Sequence, residues 1–196
     1  VVYETDQDIL PYTQATLDYL SKWLKKNKIK FKPTLDTNDF VLENKDCFQV
    51  SATLFSEPKN ATYDIVISNP PYFKVSKDDK RAVVAKSIVW GQPNIYSIFM
   101  MVATKLLKEG GELIFITPRS FASGNYFRAF REAFFQEIKI EHIHLFGSRT
   151  DTFDRDSVLQ ETLILKGKKQ KLNQHLSSIF VTHSKGIRDI ESFTEK

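Results

Sequence analysis

Hydrophobic residues in this chain fall into short runs and helical stripes that alternate along its length. Val1-Val2-Tyr3 reads as a short strand that runs into Glu4-Thr5-Asp6. From Pro11 to Lys26, Leu17, Leu20, Trp23 and Leu24 recur at the spacing of one helical face. Lys22, Lys25 and Lys26 fall in its last turns, where cations suit the helix dipole, and Asn27 is a stop signal. Ile29 to Leu35 alternates as a strand, which Asp36 to Phe40 ends. Residues 41–62 are mixed and polar, with Pro58 and Asn60 marking a loop. Tyr63 to Ile67 is a compact apolar run of the kind buried on both faces of a parallel sheet, and it stops at Ser68-Asn69-Pro70-Pro71-Tyr72.

Residues 73–93 are charged and turn-rich, which predicts a mobile loop with one helical turn. Ile95, Ile98, Phe99, Val102, Ala103 and Leu106 then define a helix that Asn94 can cap and Gly110-Gly111 can end. Leu113 to Thr117 reads as a buried strand, Ser123 to Phe135 as a helix, Ile138 to Phe146 as a strand and Val158 to Leu165 as another. After Gly167 the chain turns basic and polar. Strands alternating with helices imply an α/β fold, with a mainly parallel sheet and helices on both faces.

Composition narrows the class without naming a chemistry. The 196 residues suit one domain, and 41% hydrophobic with 27% charged residues suit a packed core. A single cysteine, Cys47, excludes a disulfide framework and a multi-cysteine zinc site, and points to a reducing compartment. The apolar run from Ile98 ends at Ala103, far short of the roughly 20 residues of a membrane span. No basic and apolar leader opens the chain, so a cytoplasmic location is expected. A net charge of +4 permits a nucleic-acid partner without demanding one. His142 and His144 face one side of a strand without further ligands, so they read as structural and no metal is expected. The run Lys166, Lys168, Lys169, Lys171 reads as a solvated linker rather than a phosphate track.

Asn69-Pro70-Pro71-Tyr72 is the segment that carries chemistry. It sits just past a strand, where ligand sites of open α/β sheets lie. Each proline fixes its own φ and holds the preceding residue extended. The Asn69 side-chain carbonyl and a backbone carbonyl, that of Pro70, can then point the same way and accept both hydrogens of one NH2 group. Tyr72 offers a face on which a planar ring can stack. An aryl amine is a poor nucleophile because its lone pair is delocalised; two acceptors that draw its hydrogens out of plane localise that pair on nitrogen. The alternative is a structural Pro-Pro turn.

Asn-Pro-Pro-Tyr after a hydrophobic strand resembles the catalytic motif of S-adenosylmethionine-dependent amino-methyltransferases. The wider pattern, over most of residues 1–166, resembles the gamma group of adenine-N6 DNA methyltransferases of the restriction–modification type. That resemblance implies a Rossmann-like class I methyltransferase sheet with S-adenosylmethionine as cofactor. It implies that Glu4 binds the cofactor ribose hydroxyls, that Asp39 binds the cofactor adenine amine and that Phe40 packs on its ring. The alternatives are a solvated acid, a turn aspartate and a core phenylalanine. It further implies that Asn69 and Pro70 hold N6 of a flipped adenine stacked on Tyr72, with Phe153 on the opposite face. Arg119, in the Gly110-to-Phe121 segment, becomes a phosphate-contact candidate, the alternative being a surface ion pair. The loop around Asp78-Asp79-Lys80-Arg81 reads as solvated, or as a cover for the target base.

The family's Gly-rich first turn does not precede Glu4, because every glycine lies downstream of Asn69. The expectation is a partial catalytic domain over residues 1–166 whose sheet lacks its first strand, followed by a linker or the start of a target-recognition region over 167–196. A repacked strand or a second copy of the chain is expected to fill the gap between the Val1–Tyr3 and Tyr63–Ile67 strands. The partners implied are double-stranded DNA, an endonuclease or specificity domain in the intact polypeptide, and self-association. Two other readings stay open: an amino-methyltransferase acting on protein glutamine or ribosomal RNA, and a truncated, non-catalytic nucleic-acid-binding module.

Overall fold

The computed structural model describes residues 1–48, 61–87, 93–146, 161–170 and 178–184. The chain divides into two compact units, Val1–Asn44 and Lys45–Lys196.

The first unit holds β1 (Val2–Tyr3), α1 (Leu10–Lys26), β2 (Leu35–Asp36) and α2 (Phe40–Glu43). Helix α1 has Pro11 in its first turn, where the missing N–H costs nothing, and Lys25 and Lys26 in its last. Leu17 and Leu24 are buried, whereas Trp23, expected on the same face, is half exposed. Strands β1 and β2 pair in parallel, Val2 with Leu35 and Tyr3 with Asp36. The strand expected from Ile29 is thus confined to its end: Ile29 and Phe31 are exposed, so the alternation there has no sheet to bury it.

In the second unit a 3-10 turn over Lys45–Phe48 holds the buried Cys47. Then follow β3 (Tyr63–Ser68), α3 (Lys80–Val84), α4 (Ile95–Leu106), β4 (Leu107–Pro118), α5 (Arg128–Glu137), β5 (Ile138–Phe146), β6 (Thr162–Lys169) and β7 (Phe180–Ser184). The strands lie in the order β3-β4-β6-β5-β7. Pairs β3/β4 and β5/β7 are parallel, and β6 runs antiparallel to both neighbours. The fold is α/β, and among the described residues three of the five strand pairings are parallel.

Ten of the twelve residues of α4 are buried, so this helix is apolar nearly all round and forms the centre of the core. It packs on the face of β4 that carries Leu113, Phe115 and Thr117. Helix α5 packs beside it through Phe130 and Phe134. Lys169, on the same face of β6, is buried with its ammonium donating to the Thr104 carbonyl at 2.8 Å and 3.7 Å from Glu137, which also pairs with Lys105. The other face of β4 and β6 is half exposed, and among the described residues of this unit the helices on the sheet lie on one side.

Several expected boundaries move for identifiable reasons. Helix α4 stops at Leu106, and Gly110-Gly111 lies inside β4. There the register jumps from Tyr63↔Leu107 to Ile65↔Glu112, so Lys108–Gly111 bulge out of the ladder. Gly110 has φ +78°, and a Cβ on Gly111 would lie 2.9 Å from the Lys108 carbonyl. Asn94 heads α4, but its side chain makes no capping bond, and its Oδ1 is buried without a partner. Helix α5 starts at Arg128, five residues later than expected, after a 3-10 turn over Arg119–Ala122. Arg131 explains the delay, since its guanidinium holds the carbonyls of Phe121, Ser123 and Gly124 in a non-helical approach.

Strand β3 is an edge strand of the sheet among the described residues, and the expectation of burial on both faces fails there: Ile65 and Ile67 are 56% and 72% exposed. Among the described residues of this unit, no strand other than β4 pairs with β3. The lysine run does not form a linker as far as Lys169. It belongs to β6, with Lys166 paired to Glu112 at 3.0 Å, and residues 180–184 add β7 to the same sheet. His142 and His144 bond to the hydroxyls of Thr182 and Ser184, and no group of metal-ligating side chains occurs among the described residues. No helix there is long and apolar enough to cross a membrane.

A Cβ on Gly167 would lie 2.5 Å from the Ile138 methyl Cγ2, which is rooted at the branch of a buried side chain. Gly167→Ala should therefore destabilise this unit by about 1–3 kcal/mol in denaturant unfolding, and unchanged stability would show that β5 and β6 are not in this register. Burial pushes the Cys47 thiol up to about 12. In the folded protein it should resist iodoacetamide at pH 8 and react once the unit unfolds, as read by mass spectrometry of the Cys47 peptide.

Candidate functional site

Asn69-Pro70-Pro71-Tyr72 leaves the carboxyl end of β3 with Pro70 buried, Asn69 and Pro71 exposed and Tyr72 half-buried. The segment that follows is stitched to the start of α4. Phe73 O accepts from Ile95 N, Val75 N donates to Pro93 O, and Lys74 bridges Asn94. The loop expected to be mobile is anchored as far as residue 87, with Val75, Ala82 and Ala85 buried. Asp79 caps α3 through Arg81 N and pairs with the Arg81 guanidinium at 2.7 Å; those hydrogen bonds hold its carboxyl down at about 2. The same guanidinium lies 5.6 Å from the Phe73 ring centre. A capped, ion-paired turn thus follows the Asn-Pro-Pro-Tyr segment directly.

Tyr72 is fixed at both ends. Its hydroxyl lies 2.6 Å from Asn69 Oδ1 and 3.0 Å from the Ile116 carbonyl of β4. Its ring stands nearly perpendicular to the fully buried Tyr96 of α4, with centres 6.3 Å apart. Tyr96 in turn bonds Ser120 Oγ at 2.9 Å and packs on Phe127. Burial raises both phenols above their ordinary range, so each hydroxyl stays protonated.

Arg119 follows β4 at the same end. Its guanidinium is ion-paired with Glu161, and its backbone N–H donates to the Glu161 carbonyl. Of the two roles weighed for Arg119, the structure contains the ion pair. Phe153 lies outside the described residues.

In the first unit, Glu4 and Asp39 follow the carboxyl ends of the paired parallel strands β1 and β2. Glu4 Oε1 accepts from the N–H groups of Thr5 and Asp6 at 2.8 and 2.9 Å, which fixes the carboxylate in the turn and leaves Oε2 outside those bonds. Asp39 Oδ1 accepts from Val41 and Leu42 and caps α2. The Phe40 ring meets Tyr3 edge-on at 5.0 Å. The structure therefore groups Asn69, Pro70, Pro71 and Tyr72 in one unit and Glu4, Asp39 and Phe40 in the other.

The sequence reading missed Tyr96, Ser120 and the Ile116 carbonyl. Tyr96 had a signal, as the one aromatic hydroxyl in an otherwise apolar helix face. A backbone carbonyl has none.

Among curated proteins, the type II methyltransferase M.BsuBI of Bacillus subtilis is 34% identical over 166 residues, covering 85% of this chain and 32% of its own length. M.PstI of Providencia stuartii is 40% identical over 121 residues, covering 60% of this chain and 24% of its own length. The chain therefore spans a third or less of these relatives. Among solved structures, a protein described as a modification subunit of a type I restriction enzyme from Vibrio vulnificus YJ016 superposes with a TM-score of 0.59 at 12% identity, over 86% of this chain and 32% of that one. The type IIG restriction endonuclease BpuSI gives 0.52 at 24% identity, over 78% and 17%. These two likenesses concern the fold alone. Residues 6–153, three quarters of the sequence and the stretch that includes every candidate residue described above except Glu4, match a single family, and the chain belongs to the Eco57I restriction-modification methylases.

Proposed function

We propose that the whole protein is a DNA methyltransferase of a restriction–modification system that modifies N6 of an adenine turned out of duplex DNA, with S-adenosylmethionine as methyl donor. One observation carries the reading: an asparagine amide and a tyrosine ring are locked together by hydrogen bonds at the carboxyl end of a strand. That end is where α/β sheets bind ligands. The naming of M.BsuBI and M.PstI as type II methyltransferases supports it.

The donor set fits the cofactor. A carboxylate held in a strand-end turn, as Glu4 is, suits a pair of ribose hydroxyls, and Asp39 and Phe40 would flank the adenine of the same molecule. When bound, S-adenosylmethionine supplies an electrophilic methyl group. The chain's own work is to hold and orient the nucleophile. Asn69 Oδ1 and the Pro70 carbonyl accept the two N6 hydrogens and localise the nitrogen lone pair. The Tyr72 ring, braced by Tyr96, takes the face of the base. No covalent enzyme intermediate is needed, and catalysis is chiefly positioning. Arg119, ion-paired with Glu161 through one guanidinium nitrogen, would meet a DNA phosphate with its remaining N–H donors. A further part of the polypeptide, beyond this third of the relatives' length, would read the recognition sequence and could include an endonuclease.

The full-length protein incubated with duplex DNA and methyl-labelled S-adenosylmethionine should yield N6-methyladenine after hydrolysis to nucleosides. Asn69→Ala should lower turnover by about 10²–10³-fold, the scale of losing one oriented polar contact to the reacting group, while cofactor binding by calorimetry persists. Label in protein, in ribosomal RNA or in cytosine, or full turnover in Asn69→Ala, would overturn the assignment.

A further inference from the structure

We propose that the Tyr72 hydroxyl is a positioning group that sets which end of the Asn69 amide faces the substrate. The inference deepens the function proposed above and rests on it.

The Tyr72 hydroxyl has one hydrogen and two close carbonyl-type neighbours, Asn69 Oδ1 at 2.6 Å and Ile116 O at 3.0 Å. One hydrogen serves one acceptor at a time, so with Oδ1 turned toward the phenol, two oxygens face each other without a proton between them. Ionising the phenol worsens the conflict and is opposed by burial. A half-turn of the Asn69 amide removes the conflict, because the oxygen and nitrogen ends of an amide have nearly the same shape, and it needs only a slight lengthening of the 2.6 Å contact into the N–H···O range. Asn69 Nδ2 then donates to Tyr72 Oη, and Tyr72 Oη donates to the Ile116 carbonyl. Every polar atom of the relay is satisfied.

The chemical consequence is large. With Nδ2 on Tyr72, Oδ1 points away from it, on a side chain that is exposed, and offers an incoming amine the acceptor it needs. In the opposite orientation Oδ1 is occupied by the phenol and Nδ2 faces outward, so a donor meets a donor. The relay ends on β4. Ile116 lies one residue past the last β3/β4 pair, Ser68↔Phe115, and is itself paired with Ile164 on β6. A backbone carbonyl can only accept, so it dictates the direction of the whole chain of bonds. Tyr72 thus serves twice: its ring for the base and its hydroxyl for the amide.

The test is Tyr72→Phe in the full-length protein, which keeps the ring and removes the hydroxyl. Loss of one orienting hydrogen bond should lower kcat about ten-fold, with KM for DNA kept within about two-fold because stacking is intact. The same change in an Asn69→Asp background should cost under about two-fold, because a carboxylate presents oxygen at both ends and has no orientation to choose. A kcat unaffected by Tyr72→Phe, or an equal loss in both backgrounds, would overturn the proposal. A second readout needs no turnover. With 15N-labelled asparagine, the Asn69 side-chain NH2 pair, assigned by its disappearance in Asn69→Asp, should show one hydrogen protected from exchange. That protection should vanish in Tyr72→Phe; unchanged signals would overturn the proposal. Absence of N6-methyladenine from the unmodified protein would remove the parent reading, and the NH2 signals would still decide the orientation.

Discussion

Strand β4 is held on both edges, parallel to β3 and antiparallel to β6, and its register with each decides where the other parts fall. Its inward residues Leu113, Phe115 and Thr117 form the floor for α4. The bulge at Lys108–Gly111 lets its first residues turn out of α4 without a connecting loop. Its far end supplies the Ile116 carbonyl that anchors Tyr72 and then the 3-10 turn whose Ser120 anchors Tyr96. The segment bearing the candidate chemistry is therefore referenced to a strand fixed on both edges, as a precise site requires.

The polar groups at that end are largely turned on one another. Asp79 is engaged by Arg81, Arg119 by Glu161, and Tyr72 by Asn69 and Ile116. Internal pairing of this kind fixes geometry before any ligand arrives. A ligand phosphate or amine therefore meets donors and acceptors whose directions are already set, which selects for ligands that match them in charge and shape.

Local signals reached far into this fold. The 3.6-residue spacing of α1 and α4, the apolar runs at β3 and β4 and the Asn-Pro-Pro-Tyr segment all stand where their patterns place them. The errors came where long-range partners decide the outcome. Ile29 to Leu35 alternates like a strand, yet only Leu35-Asp36 finds a neighbour. Gly110-Gly111 reads as a helix stop, but the close approach of the Asp64 and Lys108 carbonyls shows that it serves a bulge. The lysines after Leu165 look solvated, yet Lys169 is buried because Thr104 and Glu137 meet it from two other elements. The capping role of Asp39 was open to local reading; the Ile116 carbonyl, which carries no side-chain identity, was not.

The last strand is attached by different means from the rest. Phe180 and Val181 are mostly exposed, and β7 is joined to β5 by its backbone ladder and by the bonds of His142 and His144 to the hydroxyls of Thr182 and Ser184. Water can replace such bonds at small net cost, whereas nothing replaces the apolar contacts of β4 with α4. The sheet is therefore not uniform in local stability, and its amide protons would exchange with solvent sooner at β7 than at β4.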